Sequence, residues 1–213
     1  MQKKTLINYW DNFYIKRNKI KESSFARFVL KKVGRKKVKK SLIDIGCGNG
    51  RDSIFFSKNN FRVTGIDISK KAIKKNLFFK NKNLSFIKFD IEKNETSKKF
   101  DIIYCRFFLH TIDENGENKL LHLIKKIKKK NSVICFEFRN LKDQIFKKYK
   151  KRRHNQIVEF ERGHYRRMID PITFLEKCVK VIKCKTIYYK SSKNLSIVKY
   201  DNPNLSRMVF INK

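Results

Sequence analysis

The hydrophobic and polar residues of the chain follow two repeating patterns. Short, mainly apolar runs, typical of buried strands, are separated by segments in which apolar residues recur every three or four positions, typical of amphipathic helices. The clearest helix is predicted over residues 115–130, where Leu120, Leu121, Ile124 and Ile127 share one face. Strands that alternate with helices predict a parallel sheet covered by helices.

Along the chain, this pattern predicts five strands joined by helices, and two further strands at the end. The five strands are predicted at residues 41–46, 61–69, 84–92, 100–108 and 132–140, and the closing pair at 183–193 and 206–213. Helices are predicted within 5–33, with Ser23 or Ser24 as an N-cap, and over 51–60, 70–82, 115–130 and 170–179, the last with Pro171 in its first turn. Residues 140–167 form a polar connection.

Length, cysteine usage and hydropathy restrict the class of protein. A chain of 213 residues is most simply one domain. Its five cysteines form no CxxC pair and have no metal-ligand spacing, which predicts reduced thiols and no metal site. The N-terminus lacks the apolar core of a secretory signal, and no apolar run is long enough to cross a bilayer. We therefore expect a cytoplasmic protein without a membrane span.

The formal charge of +35 at pH 7 has two interpretations. A strongly basic protein attracts nucleic acid and other anions. However, 41 of the 54 cations are lysines spread along the chain, and Asn, Ile and Phe are also abundant. All four residue types have A/T-rich codons, so genomic base bias would produce the same composition. The basic runs at 34–40 and 147–154 are likewise either solvated surface or a nucleic-acid contact.

The sequence "LIDIGCGNGRD" contains three of the seven glycines, Gly46, Gly48 and Gly50. A strand, a glycine turn and a helix N-terminus in this order form the usual ligand-binding edge of an α/β sheet. The dinucleotide fingerprint GxGxxG fails, because its third glycine position is Arg51, and no phosphate-loop GK[ST] follows. The turn therefore predicts another ligand that approaches the main chain closely.

The segment "LIDIGCGNGRDSIFF" resembles motif I of the class I S-adenosylmethionine-dependent methyltransferases. Further landmarks follow in order over residues 40–140: Asp67 ends "VTGIDIS", where the family places a carboxylate on the ribose hydroxyls, and Asp90 in "FIKFDIE" resembles the acid that accepts from the adenine amino group. "FDIIYCRFFLH" resembles motif IV. The resemblance implies a Rossmann-like, doubly wound α/β fold with seven strands, mostly parallel with the last antiparallel, and helices on both faces.

The same resemblance implies S-adenosylmethionine as the cofactor and a set of residues that hold it. "YWDNFY" and "GCGNGRDS" also resemble small tellurite-resistance-type methyltransferases, in which an aromatic N-terminal segment lies over the cofactor; this implies a role for Tyr9, Trp10 and Tyr14. The alternative for Trp10 is that it only fixes the first helix to the core. The cofactor-binding residues expected are Trp10, Asp44, Gly46, Gly48, Gly50, Asp67, Ile68, Asp90, Ile91 and Arg106.

The acceptor side is expected at the ends of the fourth and fifth strands and in the connection 140–167. A general base is needed only if the attacking atom loses a proton; the candidates are His110, His164 and Glu137. Glu137 and Arg139 share one face of an apolar strand, so they either meet a ligand or form ion pairs. The segment "ERGHYRRMIDP" contains further candidates for acceptor binding, including Arg162, because arginines bind phosphate or carboxylate in a bidentate manner. The substrate-binding residues expected are Arg139, Tyr165, Arg166 and Arg167.

Three functions stay open from the sequence. The leading one is methyl transfer to a small anionic acceptor such as a sugar phosphate or polysaccharide precursor, since "CRFFLHTI", "FEFRN" and "GHYRRMIDP" resemble capsule- or lipopolysaccharide-decorating methyltransferases, including methyl phosphoramidate-type ones. The second is an RNA methyltransferase, although "CRFF" stands where amino-directed enzymes carry an NPPY-type tetrapeptide. The third is a non-catalytic cofactor-binding protein. One domain over 1–213 is expected, with a helical cap (1–40), a cofactor-binding core (41–139) and a substrate-side part (140–213).

Overall fold

The computed structural model describes residues 3–15, 21–34, 40–148, 153–154, 157–161, 164–197 and 201–212, with the side chains of Lys3, Lys147, Arg153, His154, Phe160 and Glu161 left aside. Ten strands lie in these parts of the chain. They are β1 (Ser41–Ile45), β2 (Arg62–Asp67), β3 (Leu84–Lys88), β4 (Phe100–Arg106), β5 (Lys128–Arg139), β6 (Arg153–His154), β7 (Ile157–Glu161), β8 (His164–Arg167), β9 (Cys184–Ser192) and β10 (Leu205–Asn212).

Seven of these strands form one sheet in the order β3-β2-β1-β4-β5-β10-β9. Strands β1 to β5 run parallel to one another. The last strand, β10, lies between β5 and β9 and is antiparallel to both. The predicted seven-stranded sheet with an antiparallel last strand is thereby confirmed. The chain enters the sheet at β1, in the centre, and adds β2 and then β3 on one side of it. It then crosses to the other side, where β4 and β5 are added. This change of side opens a crevice at the carboxyl ends of β1 and β4.

Helices cover both faces of this sheet, as predicted. They are α1 (Lys3–Ile15), α2 (Ser24–Val33), α3 (Arg51–Lys58), α4 (Lys70–Asn76), α5 (Glu114–Ile127), α6 (Gln144–Lys148) and α7 (Pro171–Ile182). Ser23 caps α2 by accepting a hydrogen bond from the Ala26 N–H, and Asp170 caps α7 in the same way. None of the helices in the described parts of the chain is long and apolar enough to cross a bilayer.

Two apolar layers lie on opposite faces of the sheet. Alternation along β1 sends Leu42 into the layer with α2, α3 and α4, and Ile43 and Ile45 into the layer with α5 and α7. All three side chains are fully buried or nearly so. Asp44 lies on the same face of β1 as Leu42 and is also buried. Strand β1 therefore delivers a carboxylate into the interior just before the glycine turn.

Several predicted boundaries were wrong. The helix predicted over 70–82 ends at Asn76 and continues as a single 3₁₀ turn, and the strand predicted at 100–108 ends at Arg106. Phe107 follows with φ of 54°, a left-handed conformation that turns the chain out of the sheet. The polar connection 140–167 contains α6 and a second, three-stranded sheet of β6, β7 and β8. Of its strands, β6 and β8 carry polar residues on both faces, so their hydropathy did not indicate strands. Most of the basic run 34–40, and residues 149–152 of the run 147–154, lie outside the described residues.

Candidate active site

Two neighbouring cavities lie at the carboxyl ends of the parallel strands. The larger has a volume of about 300 Å³ and reaches from the glycine turn after β1 to the small sheet. The smaller has about 50 Å³ and lies between the ends of β1, β2 and β3. Trp10 and Gly46 line both. The two cavities therefore form one crevice that α1 narrows in the middle.

The glycine turn brings bare main chain to the wall of this crevice. The N–H groups of Gly46 and Cys47 both donate to the Ile66 carbonyl, which ties the turn to the end of β2. Gly46 and Gly48 have φ of 72° and 54°, which favour glycine. A Cβ on Gly46 would collide with Phe108, and one on Gly48 with the Tyr14 ring. Glycine is thus needed for both the conformation and the close approach of these rings.

Asp67 connects the end of β2 to the same turn. Its carboxylate accepts hydrogen bonds from the N–H groups of Gly48 and Ser69, both at 2.8 Å. Burial raises the pKa of this carboxyl, while the two N–H donors oppose that rise. Each carboxylate oxygen has two acceptor sites, so a pair of vicinal hydroxyls still fits as further donors. Asp67 lines the small cavity, as do Ile68, Asp90 and Ile91.

Asp44 is the buried carboxylate beneath the turn and lines the large cavity. Ser53 Oγ donates to it at 2.6 Å. Burial, and then the negative charges of Asp52 and Asp67, raise the pKa of Asp44 to about 7, although the Ser53 hydrogen bond and Arg106 oppose that shift. Three carboxylates therefore lie around the glycine turn, where a cationic ligand would be stabilised.

Gly50 does not line either cavity, and its place in the cofactor site stays a prediction. It forms the N-cap of α3 with φ of 70°, and a Cβ there would press on Phe86 and Asn76. Its role is to shape the turn and to allow close packing. Arg106, by contrast, lines the large cavity as expected.

Helix α1 lies across the crevice and is held there by polar contacts. Asp11 accepts hydrogen bonds from Ser69 Oγ at 2.6 Å and from the Lys71 N–H at 3.1 Å, at the N-terminus of α4. This attachment places Trp10 against both cavities and Tyr14 in the wall of the large one. The aromatic N-terminal segment therefore lies against the crevice, and the cofactor role of Trp10 stays a prediction.

Glu137, predicted as a catalytic candidate, forms buried ion pairs instead. Its carboxylate accepts from Arg106 Nε at 2.9 Å, from Arg207 Nε at 2.6 Å and from the Ser196 hydroxyl. The side chain is 1% exposed and does not line the large cavity. With its lone pairs engaged by two guanidinium groups, Glu137 holds Arg106 against the cavity and is not placed to accept a proton from a substrate.

His110 lines the large cavity, and its hydrogen bonding and charge state were not indicated by the sequence. The main-chain N–H of Arg139 donates to its Nδ1 at 3.2 Å. Burial, reinforced by the charges of Arg166, Arg139 and Arg106, holds the pKa of His110 well below its usual value. A neutral ring that accepts at Nδ1 carries its proton on Nε2, so His110 is arranged as a hydrogen-bond donor.

His164 also lines the large cavity, where β8 meets α1. A hydrogen bond of 2.8 Å joins Nδ1 to the Tyr9 hydroxyl, and the two rings stack with centroids 4.4 Å apart. Burial and the charges of Arg166 and Arg139 lower the pKa of His164 to about 3. The imidazole is thus neutral at physiological pH.

Strand β8 divides the predicted arginine cluster between two faces. His164 and Arg166 line the cavity, whereas Tyr165 and Arg167 alternate with them and do not. Arg167 pairs with Glu117 of α5 and donates to the Ile112 carbonyl at 3.1 Å, so it holds β8 against the core. Tyr165 lies opposite Glu159 of β7. The structure therefore does not bring Tyr165 and Arg167 to this cavity, and their substrate role stays a prediction. Arg162 lies outside the described residues.

Arg166 has no carboxylate partner among the described residues. Its Nη1 donates to the Tyr165 carbonyl at 3.4 Å, and its guanidinium lies 5.4 Å from the Trp10 ring centroid. Burial and the charge of Arg139 lower the pKa of Arg166 to about 10. Arg139 pairs with Asp143 at 2.9 Å and with Asp201. The cavity thus contains two guanidinium groups close together, only one of which is neutralised by carboxylates.

The two ends of the large cavity therefore differ in charge. The charged groups that act most strongly on Asp44 are Asp52, Asp67 and Arg106, whereas those that act on His110 are mainly Arg166 and Arg139. The carboxylates of the cavity wall, Asp44 and Asp52, lie at the glycine-turn end together with Arg51 and Arg106, whereas Arg139 and Arg166 line the β8 end. Such a site fits a cationic ligand and an anionic ligand side by side.

Sequence reasoning did not single out seven residues in the wall of this cavity. Three of them are Phe13 on α1 and Cys47 and Asn49 in the glycine turn, and four lie elsewhere. Their side chains reach it only through contacts that no short motif encodes, except that Arg51 directly follows the glycine turn. Asp52, for example, accepts hydrogen bonds from the Ser23 and Tyr104 hydroxyls, both at 2.7 Å, and so joins α3 to α2 and β4. The four residues are Arg51, Asp52, Tyr104 and Phe107.

A protein-family comparison supports the sequence resemblance. The family described as "Methyltransferase domain" matches residues 36–195, which include the glycine turn and every residue lining the two cavities except those of α1. Among curated relatives, a ubiquinone biosynthesis O-methyltransferase of Rickettsia bellii is 30% identical over 96 residues, which cover 44% of this chain and 40% of that protein. The match thus spans less than half of the relative's length.

Solved structures share the fold at low sequence identity. The glycopeptide N-methyltransferase MtfA complexed with S-adenosyl-L-methionine superimposes with a TM-score of 0.66 and 11% identity, over 91% of this chain and 95% of MtfA. TehB from Haemophilus influenzae gives a TM-score of 0.66 and 15% identity, over 95% of this chain and 66% of TehB. At this identity the likeness concerns the fold alone.

Proposed function

The chain belongs to the methyltransferase-domain family, and from this premise we propose that it transfers a methyl group from S-adenosylmethionine to a small anionic acceptor. The proposal has two parts. The glycine-turn end of the crevice binds the donor, and the β8 end binds the acceptor. The name of the Rickettsia relative, an O-methyltransferase, supports oxygen as the acceptor atom.

The residues around the glycine turn fit the chemistry of the donor. S-adenosylmethionine carries positive charge on its sulfonium and amino groups and negative charge on its methionine carboxylate. It also has two ribose hydroxyls and an adenine ring. The carboxylates of Asp44 and Asp67 are buried at the end where these cations and hydroxyls need acceptors. The apolar side chains of Ile68 and Ile91 line the small cavity and suit the adenine ring. The donor supplies the activated methyl group, and the protein supplies position and charge.

Arg166 is the single observation that supports an anionic acceptor. A half-buried guanidinium beside a second one is unfavourable unless an anion compensates for the charge. Strand β8 nevertheless directs Arg166 into the cavity, opposite the carboxylates of the donor end. A carboxylate or phosphate on the acceptor would form the missing ion pair, and a volume of about 300 Å³ suits a small molecule. A sugar phosphate or a polysaccharide precursor satisfies both requirements.

The experiment compares two classes of acceptor directly. The purified protein is incubated with methyl-labelled S-adenosylmethionine and either the ultrafiltered small-molecule fraction of a cell extract or total RNA. We expect label in small molecules that bind an anion-exchange resin. Label on RNA would instead support the RNA methyltransferase alternative. Tight donor binding without transfer to either pool would support a non-catalytic cofactor-binding protein.

A pair of variants then tests the acceptor site. Arg166→Met keeps much of the side-chain length and removes the charge. The control, Arg62→Met, removes a cation from the exposed start of β2, at the amino-terminal end of the parallel strands. Loss of a charge-assisted hydrogen bond corresponds to roughly 10- to 100-fold in kcat/KM for the acceptor. We expect that loss only for Arg166→Met, with the donor Kd changed less than about twofold. Equal losses in acceptor use and donor affinity would contradict the assignment.

A further inference from the structure

We propose that the atom methylated is an oxygen of a group that is already ionised at neutral pH, a carboxylate or a phosphate, so that transfer needs no general base. This inference rests on the proposed function and specifies its chemistry. It follows from the hydrogen bonds that the carboxylates and the Nδ1 atoms of the two imidazoles make in the described wall of the large cavity, and from the guanidinium groups beside them.

The first imidazole is turned the wrong way to accept a proton. His110 Nδ1 receives the Arg139 main-chain N–H, and the ring is 1% exposed. Its remaining nitrogen carries the proton of the neutral tautomer. His110 can therefore donate a hydrogen bond to an anionic group in the cavity, which is the opposite of what a general base does.

The second imidazole is engaged with α1. Its Nδ1 is hydrogen-bonded to the Tyr9 hydroxyl, and the Tyr9 ring stacks on its face. Arg166 and Arg139 also oppose any positive charge on this ring, and the pKa of His164 is about 3 as a result. A base this weak gives little driving force for removing a proton from an alcohol or an amine.

The carboxylates of the cavity are engaged at the donor end. Asp52 accepts from the Ser23 N–H, the Ser23 hydroxyl and the Tyr104 hydroxyl. Asp44 accepts from Ser53, and the charges that act on it are those of Asp52, Asp67 and Arg106. These carboxylates are placed to compensate for the cationic donor.

The guanidinium pair suits an acceptor that arrives as an anion. In the transfer, an oxygen lone pair of the acceptor forms a bond to the methyl carbon, and the carbon–sulfur bond of the donor breaks with its electron pair left on sulfur. The acceptor oxygen loses its negative charge and the sulfonium its positive charge, and no proton is released. Arg166, Arg139 and the His110 N–H position the anion, and alignment supplies the rate acceleration.

The position of the methyl group in the product tests this proposal. Labelled product from the small-molecule fraction is purified and fragmented by tandem mass spectrometry. We expect the methyl group on a carboxylate or phosphate oxygen. Mild alkali distinguishes the two sources, because it releases methanol from a carboxylate ester and leaves a phosphate methyl ester intact. A methyl group on a hydroxyl oxygen, nitrogen, sulfur or carbon would overturn the proposal but leave the methyltransferase function standing, whereas the absence of any product would overturn both.

Once the labelled product has identified the acceptor, the number of protons released per turnover and two variants provide a second test. Turnover in a weakly buffered indicator solution is expected to release no proton, and one proton per methyl group would overturn the proposal. His164→Asn is expected to lower the rate at saturating donor by less than about tenfold, since general bases contribute about 10²- to 10⁴-fold. His110→Asn removes a hydrogen bond to the anion and is expected to cost up to about 100-fold in kcat/KM for the acceptor, without a new dependence of the rate on pH. A larger loss in either variant, with a new dependence of the rate on pH, would identify that histidine as a base.

Discussion

The carboxylate of Asp67 accepts a hydrogen bond from the main-chain N–H of Gly48 at 2.8 Å. This bond joins the end of β2 to the glycine turn after β1, so the acid and the bare main chain are held in one arrangement. A ribose bound here would meet a carboxylate that is already oriented, and no side chain would have to be ordered on binding.

Replacement of Asp67 by Ala is expected to weaken donor binding by at most a few kcal/mol. The variant loses the acceptor for the ribose hydroxyls and also leaves the Gly48 N–H without its partner. Titration calorimetry with S-adenosylmethionine measures the change. Asp101→Ala is the matched control. Asp101 also accepts a hydrogen bond from a main-chain N–H, that of Ser41, but it lies at the amino-terminal end of the parallel strands. Unchanged affinity in Asp67→Ala would contradict the ribose assignment.

Donor affinity is expected to rise with pH up to about pH 7 because of Asp44. The pKa of this carboxyl is raised to about 7 in the ligand-free protein. A cationic donor favours the ionised form, so the pKa is lower in the complex and binding releases a proton near pH 6. Between about pH 7 and the lower pKa of the complex, donor affinity falls by up to about tenfold for each unit by which the pH decreases.

Calorimetry in two buffers of different ionisation enthalpy measures the proton released on donor binding. Asp44→Asn is the control, since its amide does not titrate. We expect weaker binding in this variant, with little dependence on pH between about pH 5.5 and about pH 7. A wild-type Kd that stays constant through this window would contradict the assignment of Asp44 to the cationic part of the donor.

Gly48→Ala is expected to destabilise the protein more than Gly34→Ala. Both glycines have positive φ, of 54° and 68°, so alanine is strained at both by about 1 kcal/mol or more. A Cβ on residue 34 meets nothing within 4 Å, whereas one on residue 48 collides with the Tyr14 ring. Urea unfolding measures the difference. The double variant Gly48→Ala/Tyr14→Ala should recover the part due to the collision, and no recovery would show that α1 does not press on the turn.

Local sequence signals predicted the donor half of the site because its elements are local. A strand, a glycine turn and a helix follow one another in "LIDIGCGNGRD", and the acids of the next two strands occur at their ends. The acceptor half depends on pairing between distant residues. Alternation in β8, which separates Arg166 from Arg167, required knowledge that this polar segment is a strand. The partners of Glu137, such as Arg207 on β10, are far away in sequence, so its ion pairs stayed one of two open alternatives.

Glu137→Gln tests whether Glu137 is structural, as its ion pairs indicate. The neutral amide would leave the buried guanidinium groups of Arg106 and Arg207 without a counter-charge. Breaking a buried pair in this way costs about 3 to 5 kcal/mol of unfolding free energy. Urea unfolding measures it, with Glu95→Gln as the control, because Glu95 pairs with Lys126 at the surface and no measurable change is expected there. A stable Glu137→Gln protein that binds the donor but has lost transfer would return Glu137 to a catalytic role and contradict the base-free chemistry. A destabilised protein would instead show that Glu137 acts by keeping Arg106, and the sheet beneath the cavity, in place.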